Sequence, residues 1–225
     1  MNEAVAEASP RVADTLRVSE IFWSIQGETT RAGLPTAFVR LTGCPLRCTY
    51  CDTAYAFSGG SVMPLSAILD QVAATGAHYV TVTGGEPLAQ PRCLDLLRRL
   101  CDSGYDVSLE TSGALPVDAV DPRVCRILDL KTPASGEQSR NLWSNLDVLT
   151  AHDQIKFVMA DRNDYEWVRQ IIAQYQLAGR CELLLSPVHG QLAPADLARW
   201  MLEDHLPARL QLQLHKLMWG DARGR

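Results

Sequence analysis

Three cysteines crowd into the stretch Gly43-Cys44-Pro45-Leu46-Arg47-Cys48-Thr49-Tyr50-Cys51-Asp52-Thr53, at spacing C-x3-C-x2-C. The apolar run Ala37-Phe38-Val39-Arg40-Leu41 comes just before it, so the thiol loop hangs from the C-terminal end of a strand. Thiolates are soft ligands that suit zinc or iron–sulfur clusters. A structural zinc ion wants a fourth ligand at comparable range, and the nearest candidates, His78 and Cys93, are far along the chain. A 4Fe–4S cluster normally takes four cysteines. Three leave one iron open to a small molecule, and an open position is what a reactive centre needs.

The other cysteines, Cys93, Cys101, Cys125 and Cys181, are scattered in the sequence. In a reducing compartment such isolated thiols behave as small buried hydrophobes. Met1–Thr15 is polar and alanine-rich, without the basic start and apolar middle of a signal peptide. Residues 1–17 are therefore expected to form a flexible tail and 18–225 a single cytoplasmic domain. With 225 residues, 47% hydrophobic and 21% charged, the chain can bury one substantial core. A net charge of −5 provides no basic footprint for nucleic acid. No apolar run approaches the roughly 18 residues that span a bilayer.

Strand patterns recur at Val18–Ile25 (an edge strand or hairpin arm), Thr36–Leu41, Tyr79–Thr83, Val107–Glu110, Cys125–Leu130, Asp153–Val158, Cys181–Leu185 and Leu210–Leu214. Helical patterns fall at Pro64–Ala74, Gln90–Asp102, near Asn141–Leu149, at Asn163–Ala173 with Asn163 as cap, and at Ala195–Glu203. This alternation predicts a parallel sheet with right-handed crossovers. Residues with chemical potential keep falling just past strands, at Cys44, Gly84, Ser112, Lys131 and Pro187. A partial β/α barrel of about six strands, with its site at the strands' C-terminal mouth, fits both the pattern and the length.

Thr83-Gly84-Gly85-Glu86-Pro87 is the second strong motif. Paired glycines let backbone approach a ligand closely, although they also make a plain strand-to-helix turn. Gln26-Gly27-Glu28-Thr29 reads either as turn chemistry or as an amide and a carboxylate offered to a heterocycle rich in N–H donors. Glu110-Thr111-Ser112-Gly113 and Asp129-Leu130-Lys131-Thr132-Pro133 carry weaker local signals, a helix cap and a solvated charge being their bland readings.

Taken together, the cysteine loop, with Tyr50 before its third thiol, and the strand-end Gly-Gly-Glu-Pro resemble the radical S-adenosylmethionine (SAM) superfamily. Within it, Ser24-Ile25-Gln26-Gly27-Glu28, Arg40, Cys51-Asp52-Thr53 and the terminal Gln213-Leu214-His215-Lys216 resemble the 7-carboxy-7-deazaguanine synthase family from about Val18 to Trp219. The resemblance implies conversion of 6-carboxy-5,6,7,8-tetrahydropterin to 7-carboxy-7-deazaguanine, a lyase step of 7-deazapurine (queuosine) biosynthesis that loses ammonia. It implies that Cys44, Cys48 and Cys51 hold a 4Fe–4S cluster whose open iron chelates SAM. A 5′-deoxyadenosyl radical would then take hydrogen from substrate C6. Ile25, Gln26, Gly27, Glu28, Arg40 and Thr83 would bind the pterin, and Thr53 would ligate Mg²⁺. Tyr50, Cys51, Asp52, Gly85, Ser112, Asp129, Leu130 and Lys131 would line the SAM site, with no reacting group supplied by a protein side chain. A flavodoxin or ferredoxin as reductant, and a homodimer, are further implications. Gly220–Arg225 extends past the His-Lys segment, so no C-terminal contact is carried over from the resemblance. Two rivals remain at this point: another small radical SAM enzyme such as a glycyl-radical activase, and a non-catalytic zinc-binding module.

Overall fold

The computed structural model describes residues 14–225. Its first unit is a hairpin, β1 (Thr15–Ile25) with β2 (Pro35–Leu41), paired antiparallel so that Phe22 faces Phe38 and Glu20 faces Arg40. The phenyl rings stack at 4.8 Å. The short strand β3 (Ser61–Pro64) pairs with the start of β1 from the other side. Then follow α1 (Leu65–Ala74), β4 (Tyr79–Gly84), α2 (Cys93–Asp102), β5 (Asp106–Thr111) and β6 (Cys125–Leu130). The chain ends with β7 (Gln154–Met159), α3 (Arg162–Gln174), β8 (Glu182–Pro187), α4 (Pro194–Glu203), β9 (Arg209–Leu210) and α5 (Leu214–Trp219).

The sheet order is β3-β1-β2-β4-β5-β6-β7-β8-β9, parallel from β2 onward. This is the expected partial barrel, lengthened by an antiparallel flap at one edge and a two-residue strand at the other. The strand period of two separates its faces. Val80, Val82, Val107, Leu109, Leu128, Leu130, Ile155 and Phe157 join the fully buried core with Ile68, Leu96, Leu97 and Val168 from the helices. The alternate residues Thr83, Glu110, Asp129, Lys131 and Lys156 face the opposite side, toward the barrel's mouth.

Several expectations shift. The expected tail lies outside the described residues up to position 13, while Thr15–Arg17 are strand, fixed by β3. For the same reason β1 is an inner strand and not an edge, while its reading as a hairpin arm holds. Asn163 does not cap α3. Asp161 does, its side chain accepting from Asp164 N–H at 2.9 Å. Around Asn141–Leu149 there are 3-10 turns in place of a helix. The asparagines there bind neighbouring loops: Asn141 bridges the Lys131 N–H and C=O at 2.8 and 2.9 Å, and Asn145 donates to Gly113 and Leu115 carbonyls. Side chains that bond backbone elsewhere compete with helix formation. The last strand stops at Leu210 because Gln211 and Gln213 turn toward the β1–β2 loop, and Leu214 begins α5.

Candidate active site

The strands' C-terminal ends surround a cavity of about 710 Å³. Of the residues that the sequence nominates, Ile25, Gln26, Gly27, Glu28, Arg40 and Thr83 all line it. So do Tyr50, Asp52, Thr53, Gly85, Ser112, Asp129 and Lys131, and the three loop cysteines Cys44, Cys48 and Cys51. Leu130 is the exception. Its side chain is fully buried in the core, because the parity that turns Asp129 and Lys131 inward turns Leu130 outward.

The cysteine loop is docked on the turn that follows β6. Thr49 donates from N–H to Ser135 O at 3.0 Å and from Oγ1 to Ala134 O at 2.7 Å, and Arg47 N–H donates to Glu137 Oε1 at 2.6 Å. Arg47 also reaches back to Cys44 O at 2.8 Å, its guanidinium 4.3 Å from the centroid of the Phe57 ring. All three thiols are free and half-buried. Burial pushes Cys44 up and Cys48 up to about 11, the latter against the opposing charge of Lys131. Protonated thiols of this kind become ligands when a metal group displaces the proton. Cys93, Cys101, Cys125 and Cys181 do not line the cavity, so a bound group would find three sulfur ligands there and no fourth. Among the described residues, no three His, Cys, Asp or Glu side chains converge on a single ion. The donor set fits a cluster with one open corner better than mononuclear zinc.

The two glycines of the next strand end are required by the end of β2 and by the start of this loop. A Cβ at Gly84 would lie 2.3 Å from Leu41 O, and one at Gly85 would lie 2.3 Å from Gly43 O. Glu86 locks the junction. Its N–H donates to Gly43 O at 2.7 Å, while its fully buried carboxylate accepts from Leu88 N–H at 3.0 Å, Thr111 Oγ1 at 2.9 Å, Ser112 N–H at 2.7 Å and the Ser112 hydroxyl. Glu86 thus ties the cysteine loop, through its N–H, to the Thr-Ser-Gly motif, through its carboxylate.

Deeper in the cavity Glu28, Asp129 and Lys131 join a charged floor whose other members, Lys156 and Glu110, sequence reasoning did not nominate. Lys156 pairs with Glu28 and lies 3.9 Å from Asp129, which itself pairs with Lys131 at 3.1 Å. Gln213 donates to Glu28 at 2.8 Å. Burial would raise Glu28, but the ammonium of Lys156 outweighs it and holds the carboxyl below the ordinary glutamate range. Burial likewise acts on Lys156, and its three acidic neighbours Glu28, Asp129 and Glu110 keep it protonated. Glu110 moves the other way, raised by burial and by Glu28 despite Lys156; Thr83 Oγ1 and Gln26 Nε2 donate to it at 2.9 and 3.3 Å. Lys156 and Glu110 share the inward parity of Asp129 and Thr83, which is the signal that would have found them.

Near the rim, Arg40 donates from Nε to Glu20 at 2.7 Å, and Tyr55 donates to the same carboxylate oxygen at 2.7 Å. Thr53 Oγ1 donates to Asp52 at 2.8 Å. Burial opposes ionisation of Asp52, yet that bond and the charges of Lys156 and Lys216 hold it below the ordinary range. Tyr50 donates to Val158 O at 3.0 Å, and burial takes its hydroxyl up to about 12. Gly27 lies so close beneath His215 that a Cβ would meet Nδ1 at 2.3 Å. The C-terminal residues, whose role the sequence leaves open, also reach the cavity: Gly220 to Arg225 line it, and the Arg223 guanidinium stands 4.1 Å from the centroid of the Tyr55 ring.

Residues 38–186 match the model of the radical SAM superfamily. A 7-carboxy-7-deazaguanine synthase of Chlorobaculum tepidum is 49% identical over 93% of this chain and 97% of its own length. One from Koribacter versatilis is 44% identical over 91% and 97%. The chain belongs to the 7-carboxy-7-deazaguanine synthase family. QueE from Escherichia coli, 24% identical, has the same fold, with a TM-score of 0.68 over 88% of this chain and 94% of that one. The chain is therefore an enzyme of the radical SAM type, whose members use a 4Fe–4S cluster and SAM, and the zinc-module alternative falls. Among the described residues, no helix is long and apolar enough to cross a membrane.

Proposed function

We propose that the chain converts 6-carboxy-5,6,7,8-tetrahydropterin to 7-carboxy-7-deazaguanine with loss of ammonia. The observation that carries the reading is the single cavity shared by the three-thiol loop and the segment Gln26 to Glu28, with Arg40 and Thr83 beside them. The 7-carboxy-7-deazaguanine synthases to which the chain is similar support it. Cys44, Cys48 and Cys51 hold the cluster. Tyr50, Asp52, Gly85, Ser112, Asp129 and Lys131 hold SAM, and together these two groups supply radical initiation.

The chain's own residues bind and orient the pterin. Glu28, kept ionised by Lys156, accepts from the pterin N–H groups, a charge-assisted pairing. Gln26, steadied by Thr81 Oγ1 at 3.2 Å, and Thr83 complete the polar edge. Arg40 spends its Nε on Glu20, and its terminal nitrogens take the substrate carboxylate. Thr53, its hydroxyl set by Asp52, offers an oxygen to Mg²⁺, a hard cation that accepts such ligands alongside water and substrate. A flavodoxin or ferredoxin as electron donor and a homodimeric assembly belong to the same proposal.

The decisive assay is anaerobic, with reconstituted protein, reductant, SAM and the carboxytetrahydropterin. Formation of 7-carboxy-7-deazaguanine is expected; a cluster-replete protein that cleaves SAM without forming it would refute the reading. For the metal, a Thr53→Ala enzyme is expected to lose the stimulation of turnover by added Mg²⁺. Undiminished Mg²⁺ dependence would remove Thr53 from the site.

A further inference from the structure

The loop between β1 and β2 carries the pterin-binding segment, and one residue in it is strained. Thr29 has φ of 66° and is 2% exposed. A β-branched residue in the left-handed region is a genuine outlier that persists only where surrounding structure imposes it. The other non-glycine residues with positive φ among the described ones, Gln176 and His205, follow α3 and α4, where a left-handed residue ends a helix. Thr29 ends no helix, so its conformation has another cause.

Beside the loop's own bonds from Ala32 N–H to Thr29 O and from Arg31 N–H to Thr29 Oγ1, a reciprocal clamp holds it. Thr29 N–H donates to Gln211 Oε1 at 2.8 Å, and Gln211 Nε2 donates back to Thr29 O at 2.8 Å. Gln211 is anchored through its own N–H to Leu185 O at 2.8 Å, within β8, and is 5% exposed. Gln154 on β7 does the same for the next residue, accepting from Thr30 N–H at 3.0 Å and donating to Thr30 Oγ1 at 2.8 Å. Leu214 N–H adds a bond to Gly27 O at 3.0 Å. The far edge of the sheet therefore grips the β1–β2 loop one residue beyond Glu28. Neither Thr29 nor Gln211 lines the cavity, so the clamp acts only through the residues it holds.

We propose that Gln211 is a positioning residue for the pterin: its side-chain amide holds Thr29 in the left-handed conformation that aims Gln26, Gly27 and Glu28 into the cavity. The inference rests on the proposed function and names a group outside the site that sets its substrate affinity.

The test measures KM and kcat for the carboxytetrahydropterin in the reconstituted full-length enzyme, together with SAM cleavage in the absence of pterin. Gln211→Ala is expected to raise KM about tenfold while leaving pterin-free SAM cleavage at the wild-type rate. Thr29→Gly in the same background should bring KM back toward wild type, because glycine takes a positive φ without a clamp. If Gln211→Ala fails to fold, Gln211→Glu, which keeps the acceptor and loses the donor, carries the same measurement. A KM within twofold of wild type overturns the inference. So does a raised KM that Thr29→Gly leaves unchanged, or a parallel loss of pterin-free SAM cleavage. If the wild-type enzyme makes no deazaguanine, the proposed function fails first and this inference falls with it; normal wild-type turnover with an unaffected variant sinks the clamp alone.

Discussion

A Cys48→Ala enzyme is expected to lose SAM cleavage entirely and to come out of anaerobic reconstitution without the iron content and brown colour of the parent. The reason lies in the donor count. Only Cys44, Cys48 and Cys51 among the chain's seven cysteines reach the cavity, so the site has no spare sulfur to replace a lost one. The loop itself is held by backbone contacts to Ala134 and Ser135 and by Glu86, none of which involves the Cys48 thiol. The unloaded variant should therefore melt close to the unloaded parent, which separates a lost ligand from a lost fold. Cys181→Ala, outside the cavity, should keep full iron content. SAM cleavage by Cys48→Ala at a substantial fraction of the parental rate would overturn the ligand assignment.

Lys156→Met should be costly in two distinguishable ways. Removing one partner of a buried ion pair strands the other, typically at about 3–5 kcal/mol, and Glu28 and Lys156 are both largely buried. The sign with pH follows from the direction of the shift. Glu28 is held below the ordinary glutamate range, so the stability it contributes is present above that range and is lost as pH falls through its lowered value. Without Lys156 burial dominates, Glu28 binds a proton, and the pair's contribution disappears at neutral pH as well. Thermal melts should show the loss, and KM for the pterin should rise because a protonated Glu28 no longer offers an anionic acceptor. The double variant Glu28→Gln with Lys156→Met removes both charges, so it should regain most of the stability. It should not regain pterin affinity. Recovery of both would mean that Glu28 supports the fold and not the substrate.

Much of this was legible in the chain. The three cysteines, the Gly-Gly-Glu-Pro motif and the Gln-Gly-Glu segment each carried their residue types in plain view, and all of them reach one cavity. Strand parity, applied past Asp129 and Thr83, would also have found Lys156 and Glu110 and would have excluded Leu130. What local pattern could not supply was the partner of each polar side chain. Ser112 reads as a helix cap or a SAM-site residue, yet its hydroxyl donates to Glu86. Asn141 and Asn145 read as helix, yet they bridge the loops after β6 and β5.

The sequence by itself determined the alternation that makes a parallel sheet, and it determined the three closely spaced thiols that reach the cavity, because both depend on which residues sit at which spacing. Tertiary structure decided the rest through close approach of distant segments. It required glycine at positions 84 and 85 because the end of β2 at Leu41 and the start of the cysteine loop at Gly43 each pass within 2.3 Å of where a Cβ would stand. It brought Lys156 to Glu28 across 128 positions of chain and Gln211 to Thr29 across 182. Hydrogen bonds and ion pairs are short-ranged in space but indifferent to separation along the chain. Only the folded sheet therefore determines which carboxylate is ionised and which backbone turn can hold its strain.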